Sequence, residues 1–179
     1  MSSKLHVLFT DEIKLDLLRP VLDELPRPPA RARIAIKPNL VVAKPSHLGA
    51  TTDPALVGCV IAYLKEQGYD DICIMESSAI GQNTQRAYEI CGYEAISKKY
   101  NVPLVDLKKS RTVKVPVGSL TIEVCQEILE ADFIINMPVL KAHCQTRITC
   151  ALKNLKGCIP DGEKRRFHQL GLHKPISAL

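Results

Sequence analysis

The segment between Arg33 and Ser78 decides the fold. It reads RIAIKPN at residues 33–39, TTDPALVGCVIAYLKEQG at residues 51–68 and DICIMESS at residues 71–78. The outer pieces carry continuous apolar runs, which are typical of strands buried on both faces. The middle piece has apolar residues at helical spacing and ends at a glycine, as helices commonly do. We therefore predict two parallel strands joined by a right-handed helical crossover.

The start of the predicted helix has two roles open to it. Thr51, Thr52 and Asp53 precede Pro54, and these residue types favour a helix cap followed by proline at the first helical position. A helix N-terminus also offers unpaired backbone N–H groups to an anion. Because the two roles are compatible, all three residues before the proline are candidate ligand-binding residues.

Elements on either side of this unit extend the same plan. Apolar runs predict strands at Leu5–Phe9, in NVPLVDL at residues 101–107 and in ADFIINMP at residues 131–138. A helix is predicted to start after Thr10, and one broken helix or two short ones around Gly92.

Two patterns differ from the parallel plan. Alternating apolar and polar residues from Thr112 to Val124 predict an antiparallel hairpin. Helical spacing predicts a helix that runs up to Gly157, with an apolar stripe formed by Ile148, Ala151, Leu152 and Leu155. The predicted fold is α/β, a mainly parallel sheet with flanking helices and one antiparallel hairpin.

The chain has 179 residues, 46% of them hydrophobic, which is enough for one domain with a core and short for two. We expect residues 1–179 to form a single α/β domain. The basic stretch after Asp161 is weakly patterned and shows no recognisable terminal element. A longer fold, of which this chain is the N-terminal part, therefore stays open.

The composition of the chain favours some cellular compartments and classes of binding partner over others. No run approaches the roughly 18 apolar residues that a membrane span needs, and the N-terminus has no cleavage signature. We expect an intracellular protein without a membrane partner. The seven cysteines lie mostly in apolar segments, which favours reduced thiols over disulfides. A net charge of +5 suits an acidic small molecule or partner, whereas 4% aromatic residues and no tryptophan argue against nucleic acid.

Polar residues follow the predicted parallel strands at the points where the strands end. In open parallel sheets, ligands bind outside the carboxyl ends of the strands. Glu76 is the single carboxylate at this edge. It is either a metal ligand or general base, or an exposed loop residue. Lys37 and Asn39 follow the first strand. They are either ligand-binding residues or part of an ordinary turn that ends the strand. The residues at this edge are Lys37 and Asn39, then Glu76, Ser77 and Ser78, and finally Asn136, Lys141 and His143.

The stretch NMPVLKAHCQTRITCALKNLKG, residues 136–157, is unusually rich in hydrogen-bond donors. The chain contains no carboxylate between Asp132 and Asp161, so acids do not balance these donors. Such a composition favours an oxyanion site, and a solvated basic surface is the alternative. The polar residues concerned are Lys141, His143, Thr146, Thr149, Lys153, Asn154 and Lys156.

Signals for a metal or a nucleotide are weak. Cys144, Cys150 and Cys158 are separated by five and seven intervening residues, which matches neither paired zinc cysteines nor a ferredoxin run. The sequence contains no Walker P-loop, no GxGxxG and no HExxH motif. We predict no metal site in this chain and leave the cofactor unassigned.

The motifs together resemble a known family. IKPN, TTDP before a helix, a strand that ends in an acid and serines, and INMPVLKAHCQTRITCALKNLKG resemble the N-terminal part of the uncharacterised domain-of-unknown-function family 362. The resemblance extends over residues 33–156. It implies a prokaryotic, cytoplasmic protein associated with iron–sulfur proteins, because many members carry a four-iron ferredoxin module.

The chain departs from the family pattern in two places. It lacks the clustered CxxCxxC run of a ferredoxin module, so a cluster would have to come from a partner or from further chain. The family usually has lysine after the proline of its NxP motif, whereas Val139 stands there and Lys141 retains the charge. The family has no settled activity, so the resemblance implies a fold and a site and names no reaction.

Three functions stay open. The first is binding of an anionic small molecule or cofactor at the strand edge, with a redox link through an iron–sulfur module absent from this chain. The second is an enzyme acting on a carboxylate or phosphate substrate, in which Lys141 or His143 transfers protons and Glu76 holds a metal. The third is a docking module, whose Lys153 and Lys156 form a convex surface for an acidic redox protein such as a ferredoxin.

Overall fold

The structure, a computed structural model, describes residues 4–179. Within this range the strands are β1 (Ile34–Pro38), β2 (Ile72–Glu76), β3 (Leu104–Asp106), β4 (Thr112–Val117), β5 (Leu120–Cys125), β6 (Phe133–Met137), β7 (Lys141–His143) and β8 (Arg147–Thr149). The helices are α1 (Leu15–Glu24), α2 (Pro54–Glu66), α3 (Thr84–Ile90), α4 (Tyr93–Tyr100), α5 (Gln126–Leu129), α6 (Ala151–Asn154), α7 (Asp161–Gln169) and α8 (His173–Ala178). Short 3-10 turns lie at Ser46–Leu48, Leu107–Lys109 and Leu155–Cys158.

The predicted parallel sheet is present. In the described part of the chain its strands lie in the order β3-β2-β1-β6, and each neighbouring pair is parallel. Ile34 lies opposite Ile72 on one side and Phe133 on the other, so β1 runs between β2 and β6. The strand–helix–strand prediction for residues 33–78 is confirmed, and with it the α/β class.

Apolar layers cover both faces of this sheet. All five residues of β1 and all five of β2 are buried. Their isoleucines pack with α2, α3 and α4, whereas Ala35, Cys73 and Met75 pack with β5, α7 and α8. Because the strand faces are occupied by apolar contacts, the polar residues that follow the strands gather at the carboxyl edge.

The helix boundaries next to the sheet follow the predicted signals. Asp53 Oδ1 accepts a hydrogen bond from the backbone N of Ala55 at 2.8 Å, and Pro54 is the first residue of α2. Gly68 follows the end of α2 with a φ of +84°, a conformation that favours glycine. Gly92 separates α3 from α4, so of the two predicted alternatives, one broken helix or two short helices, the second is present.

The predicted hairpin from Thr112 to Val124 is also confirmed. It is formed by β4 and β5, which pair in antiparallel register from Thr112 and Cys125 to Val117 and Leu120. Ile122 and Val124 of β5 pack into the second apolar layer. The hairpin therefore covers one face of the parallel sheet.

Two predictions for the N-terminal region are wrong. Leu5–Phe9 forms no strand, and the side chains of Leu5 and Phe9 are 88% and 92% exposed. An apolar run becomes a strand only where a neighbouring strand satisfies its backbone groups, and this segment has none among the described residues. The helix predicted after Thr10 begins later, at Leu15.

The helix predicted up to Gly157 is present only from Ala151 onward, as α6 followed by the 3-10 turn Leu155–Cys158, and its predicted start at Ile148 is wrong. Residues 147–149 form β8, which pairs antiparallel with β7 and joins it in a second hairpin. Ile148 and Leu152 are 58% and 62% exposed, so they do not form a core stripe. Arg147 has a φ of +61° and Cys150 is extended, and both conformations interrupt helical geometry.

Across residues 4–179, no helix is long and apolar enough to cross a membrane. The seven cysteines, all of them within that range, are free thiols. Cys73, Cys91, Cys125 and Cys158 are buried, as expected for cysteines packed as small apolar side chains.

Candidate functional site

A cavity of about 170 Å³ lies at the carboxyl edge of the sheet. Seven of the predicted site residues line it: Asn39, Glu76, Ser77, Lys141, His143, Lys153 and Asn154. Four other polar residues contribute to its wall, namely Thr149, Lys156, Lys164 and His168. The loops after β1 and β2, the β7–β8 hairpin and the segment from α6 to α7 thus meet in one concave site.

An ion pair lies buried below this cavity. Lys37 is fully buried at the end of β1, and its Nζ is 2.8 Å from both carboxylate oxygens of Glu76 at the end of β2. The carboxylate also accepts hydrogen bonds from the backbone N of Leu40 at 2.9 Å and of Ser77 at 2.7 Å. Glu76 is therefore occupied by partners from the protein, and its charge is compensated.

A chain of amide hydrogen bonds joins the ends of three strands. Lys141 Nζ donates to Asn39 Oδ1 at 2.6 Å, and Asn39 Nδ2 donates to Asn154 Oδ1 at 2.7 Å. Asn154 Nδ2 donates in turn to Asn136 Oδ1 at 2.8 Å. Asn136 Nδ2 reaches the backbone oxygen of Ala151 at 2.9 Å. These contacts fix the polar wall of the cavity to β1, β6 and β7.

Several predicted ligand-binding residues make structural hydrogen bonds outside the cavity lining. Thr52 Oγ1 accepts from the backbone N of Asn39 at 2.8 Å and donates to the backbone oxygen of Met137 at 2.7 Å. Thr51 Oγ1 donates to the backbone oxygen of Lys44, and Ser78 Oγ to that of Leu40. Asp53 caps α2.

Two more predicted residues lie beside the lining. Asn136 supports Asn154 through the hydrogen bond between their side chains. Thr146 Oγ1 donates to the backbone oxygen of Ile148 at 2.9 Å, within the β7–β8 hairpin. Neither residue belongs to the described lining of the cavity, and each contacts a residue of an element that forms its wall.

The cavity is strongly basic. Burial lowers the pKa of Lys141, Lys153 and Lys164 below the usual value. Burial, together with the nearby charges of Lys153 and Lys164, lowers the pKa of Lys156 to about 8. Within the described chain, Glu76 is the one carboxylate in the cavity lining, and Lys37 compensates it.

The lysines of the cavity differ in their partners. Lys164 Nζ donates to Ser77 Oγ at 2.6 Å, to the backbone oxygen of Ser78 at 2.8 Å and to Asp161 Oδ1 at 3.1 Å. Lys141 is held by Asn39 and by the backbone oxygen of Ala50. Across residues 4–179, the ammonium groups of Lys153 and Lys156 make no hydrogen bond to an acid or a carbonyl.

Two backbone N–H groups of the β7–β8 hairpin determine which ring nitrogen of His143 carries the proton. Its Nδ1 accepts from the backbone N of Gln145 at 3.2 Å and of Thr146 at 3.3 Å. In the neutral ring the proton then sits on Nε2, which makes His143 a hydrogen-bond donor. Burial and the surrounding lysine charges lower its pKa, so this neutral form is favoured.

Thr149 carries a polar atom without a partner. Its side chain is 2% exposed, and within the described residues its Oγ1 is buried without a hydrogen-bond partner. Leaving a buried hydroxyl unsatisfied costs about 1–3 kcal/mol. Because Thr149 also lines the cavity, a bound molecule could satisfy this hydroxyl.

Lys164 and His168 were missed at the sequence level. Both lie on α7, in the stretch that is weakly patterned in sequence. The charged residues of that stretch read as a solvated surface, yet Lys164 is 4% exposed. The one local signal is the spacing of Asp161 and Lys164, which pair three residues apart on the helix.

The cysteines and acids of this chain do not fit an iron–sulfur cluster or a bound metal ion. Among residues 4–179, no three histidine, cysteine, aspartate or glutamate side chains come together as a metal-binding group. Cys144 and Cys150 are exposed on the β7–β8 hairpin and beside it, whereas Cys158 is buried in the core.

Comparison with known proteins identifies related sequences. The family described as Domain of unknown function (DUF362) matches residues 34–179. The chain is also similar to the Thylakoid-associated protein sll1697 of Synechocystis sp. (strain ATCC 27184 / PCC 6803 / Kazusa), with 29% identity over 136 residues. The aligned region covers 76% of this chain and 42% of that relative, so the chain spans less than half of the relative's length. No solved structure matches the chain.

Loss of Lys37 tests the buried ion pair. We expect Lys37→Met to lower the free energy of unfolding by about 3–5 kcal/mol, because the Glu76 carboxylate is left buried without its cation. Urea unfolding followed by circular dichroism measures this change. Lys37→Met combined with Glu76→Gln should recover much of the loss. A loss below about 1 kcal/mol for the single variant, the size expected of a surface ion pair, would contradict this role.

Gly157 lies too close to the ion pair to tolerate a side chain. A Cβ at this position would stand 2.0 Å from Glu76 Oε1 and 2.6 Å from Lys37 Nζ. We expect Gly157→Ala to cost about 1–3 kcal/mol or more, as overpacking does, in the same unfolding measurement. Gly162→Ala is the matched control, because a Cβ there meets no atom within 4 Å among the described residues. Equal stabilities of the two variants would show that the close approach is unimportant.

Proposed function

The chain belongs to the DUF362 family, and we propose that its cavity binds a small anionic compound that carries a carboxylate or phosphate group. The observation that carries this proposal is the pair Lys153 and Lys156. Both are half-buried in the cavity wall, and across residues 4–179 neither ammonium group has an acidic partner. An anion in the cavity supplies the missing charge.

The like charges of the cavity support this proposal. Neighbouring lysines lower one another's pKa because each disfavours the charged form of the other. An anion that binds between them relieves this repulsion, and by linkage the same interaction raises the lysine pKa values. Thr149 adds a polar group that no described residue satisfies.

The size of the cavity indicates the size of the ligand. Its volume of about 170 Å³ is below the roughly 300–1,000 Å³ of pockets for drug-sized ligands. A compound of a few carbon atoms with one or two anionic groups suits this space.

The shape of the cavity and the contacts of Glu76 argue against the two alternative functions, a docking module and an enzyme that uses Glu76. A docking surface requires convex, solvated Lys153 and Lys156, whereas both line a concave cavity. An enzyme with Glu76 as base or metal ligand requires a carboxylate that its neighbours leave available, whereas Glu76 is held by Lys37 and two backbone N–H groups. Acid–base chemistry in this cavity therefore falls to its lysines and histidines.

The redox link and the compartment stay predictions from the family resemblance. An iron–sulfur module that works with this cavity would belong to a partner or to further chain. The thylakoid association is a property in the name of the Synechocystis relative, and we keep the cytoplasm as our expectation for this chain.

A pair of lysine substitutions tests anion binding. We expect inorganic phosphate, pyrophosphate, oxalate or pyruvate to bind the wild-type protein, and Lys153→Ala/Lys156→Ala to weaken that binding at least about tenfold. Each charge-assisted hydrogen bond contributes about 1.5–3 kcal/mol. Isothermal titration calorimetry at low and moderate salt measures the affinity, which should fall as salt screens the charges.

The matched control for this experiment is Lys98→Ala/Lys114→Ala. These two lysines are exposed and outside the cavity, and the variant carries the same change in net charge. It should bind as the wild type does. Equal weakening in both double variants would indicate a nonspecific effect of charge, and a wild type that binds none of the four anions would overturn the proposal.

The substitution Thr149→Val tests whether the Thr149 hydroxyl contributes to ligand binding or to the stability of the fold. We expect this variant to be as stable as the wild type or more stable by about 1 kcal/mol, because it removes a buried hydroxyl without a partner. Its affinity for the anion that binds the wild type should fall several-fold. Thermal unfolding and calorimetry measure the two effects. A stability loss with unchanged affinity would mean that the hydroxyl serves the fold and not the ligand.

A further inference from the structure

We propose that Lys156 forms a covalent imine with the carbonyl group of a small 2-oxo acid or aldehyde acid, while His168 transfers the protons. This inference rests on the proposed function, because the acid group of the substrate is the anion that the cavity holds. It adds a reacting group and a substrate class to that binding site.

The geometry that points to this chemistry is the contact between Lys156 and His168. Lys156 Nζ lies 3.1 Å from His168 Nε2. Lys156 is on the 3-10 turn Leu155–Cys158 and His168 is near the end of α7, so two separate elements bring the groups together. Both side chains line the cavity.

The partner of Lys156 distinguishes it from the other cavity lysines. Carbonyl and carboxylate oxygens hold Lys141 and Lys164 as ammonium ions. Lys156 instead meets an imidazole nitrogen, which can take a proton from the ammonium group and return it. Within the described residues, Lys156 is the one cavity lysine with such a partner.

The electrostatics favour the nucleophilic form of this amine. In the unliganded cavity, burial and the charges of Lys153 and Lys164 bring the pKa of Lys156 to about 8. About a tenth of this amine is then neutral at pH 7, against less than about a thousandth for an ordinary lysine. Burial and the lysine charges also lower the pKa of His168. A neutral imidazole is thus ready to accept a proton.

The reaction is an addition followed by loss of water. The lone pair of Lys156 Nζ forms a bond to the carbonyl carbon while the C=O π electron pair moves to the oxygen. His168 takes one proton from the nitrogen and passes it to this oxygen, which gives a carbinolamine. The next two transfers involve the second proton of the nitrogen. His168 removes a proton from the nitrogen and donates a proton to the departing hydroxyl group. The products are an imine and one water molecule, and nothing is oxidised or reduced. Lys153 lies in the same wall to bind the acid group of the substrate.

Reductive trapping tests the imine. The wild-type protein is incubated with glyoxylate, pyruvate or glycolaldehyde phosphate in the presence of sodium cyanoborohydride, and the modified residues are located by peptide mass spectrometry. We expect stoichiometric modification at Lys156 with at least one probe. Glycolate and lactate, which carry the acid group without the carbonyl, should leave the protein unmodified.

Three variants complete the test. Lys156→Arg keeps the charge and should lose the adduct while it still binds lactate. Lys98→Arg, at an exposed lysine outside the cavity, should retain the adduct at Lys156. His168→Ala should slow adduct formation several-fold at pH 7, because the proton transfers lose their catalyst.

Failure of this inference differs from failure of anion binding. If calorimetry shows that the probes bind but Lys156 is not modified by any of them, the imine is overturned and the binding proposal stands. Modification that spreads over exposed lysines such as Lys98 and Lys114 at the same rate would also overturn it. If no probe binds and no adduct forms, both proposals fail.

Discussion

The buried pair of Lys37 and Glu76 is the interaction on which the carboxyl edge of the sheet depends. Removing two charges from water is costly, and a buried ion pair is a weak source of net stability. Its effect here is geometric. The carboxylate binds Lys37 and the backbone N–H groups of Leu40 and Ser77, so one side chain fixes the turns that follow β1 and β2. Gly157 then packs directly on the pair, which brings the segment after α6 onto the sheet.

The pair also determines the electrostatics of the cavity above it. An uncompensated Glu76 would attract Lys141, Lys156 and Lys164 and would occupy the donors of the site. Because Lys37 compensates the carboxylate from below, the cavity retains a positive field. The amide chain through Asn39, Asn154 and Asn136 then orients the wall without adding charge. The site is thus built from one neutralised acid, several neutral amides and a set of lysines that face one another.

The central elements could be predicted from the sequence because local and tertiary preferences agree there. Continuous apolar runs at residues 34–36 and 72–75 are buried on both faces, and Asp53 with Pro54 begins α2 as its residue types suggest. The positions of Lys37 and Glu76 at the strand ends follow from the same pattern. Their mutual pairing does not, because it depends on the register between β1 and β2 and on the close approach of Gly157.

The remaining part of the site depends on tertiary contacts that leave little local trace. Ile148, Leu152 and Leu155 fit a helical spacing, but the left-handed backbone at Arg147 turns the chain into a hairpin, and no pattern of apolar residues reports such a turn. Lys164 and His168 lie on a helix rich in charged residues, where burial is invisible in the sequence. The edge where the lysines gather could therefore be predicted from the sequence, whereas the two polar wall residues that α7 contributes, Lys164 and His168, could not.

The cavity contains some groups that destabilise the folded chain and others that hold its wall in place. The charges of Lys153 and Lys164 disfavour the charged form of Lys156, and within the described residues the buried Thr149 hydroxyl has no hydrogen-bond partner. Both features oppose folding of the empty site. The Lys37–Glu76 pair and the amide chain hold the wall in place against that repulsion. A ligand that binds only the folded state stabilises it in proportion to its concentration and affinity, and an anion would remove the destabilising contacts at the same time. The proposed anion site would thus combine a cavity that is unfavourable when empty with a wall that the Lys37–Glu76 pair supports from below.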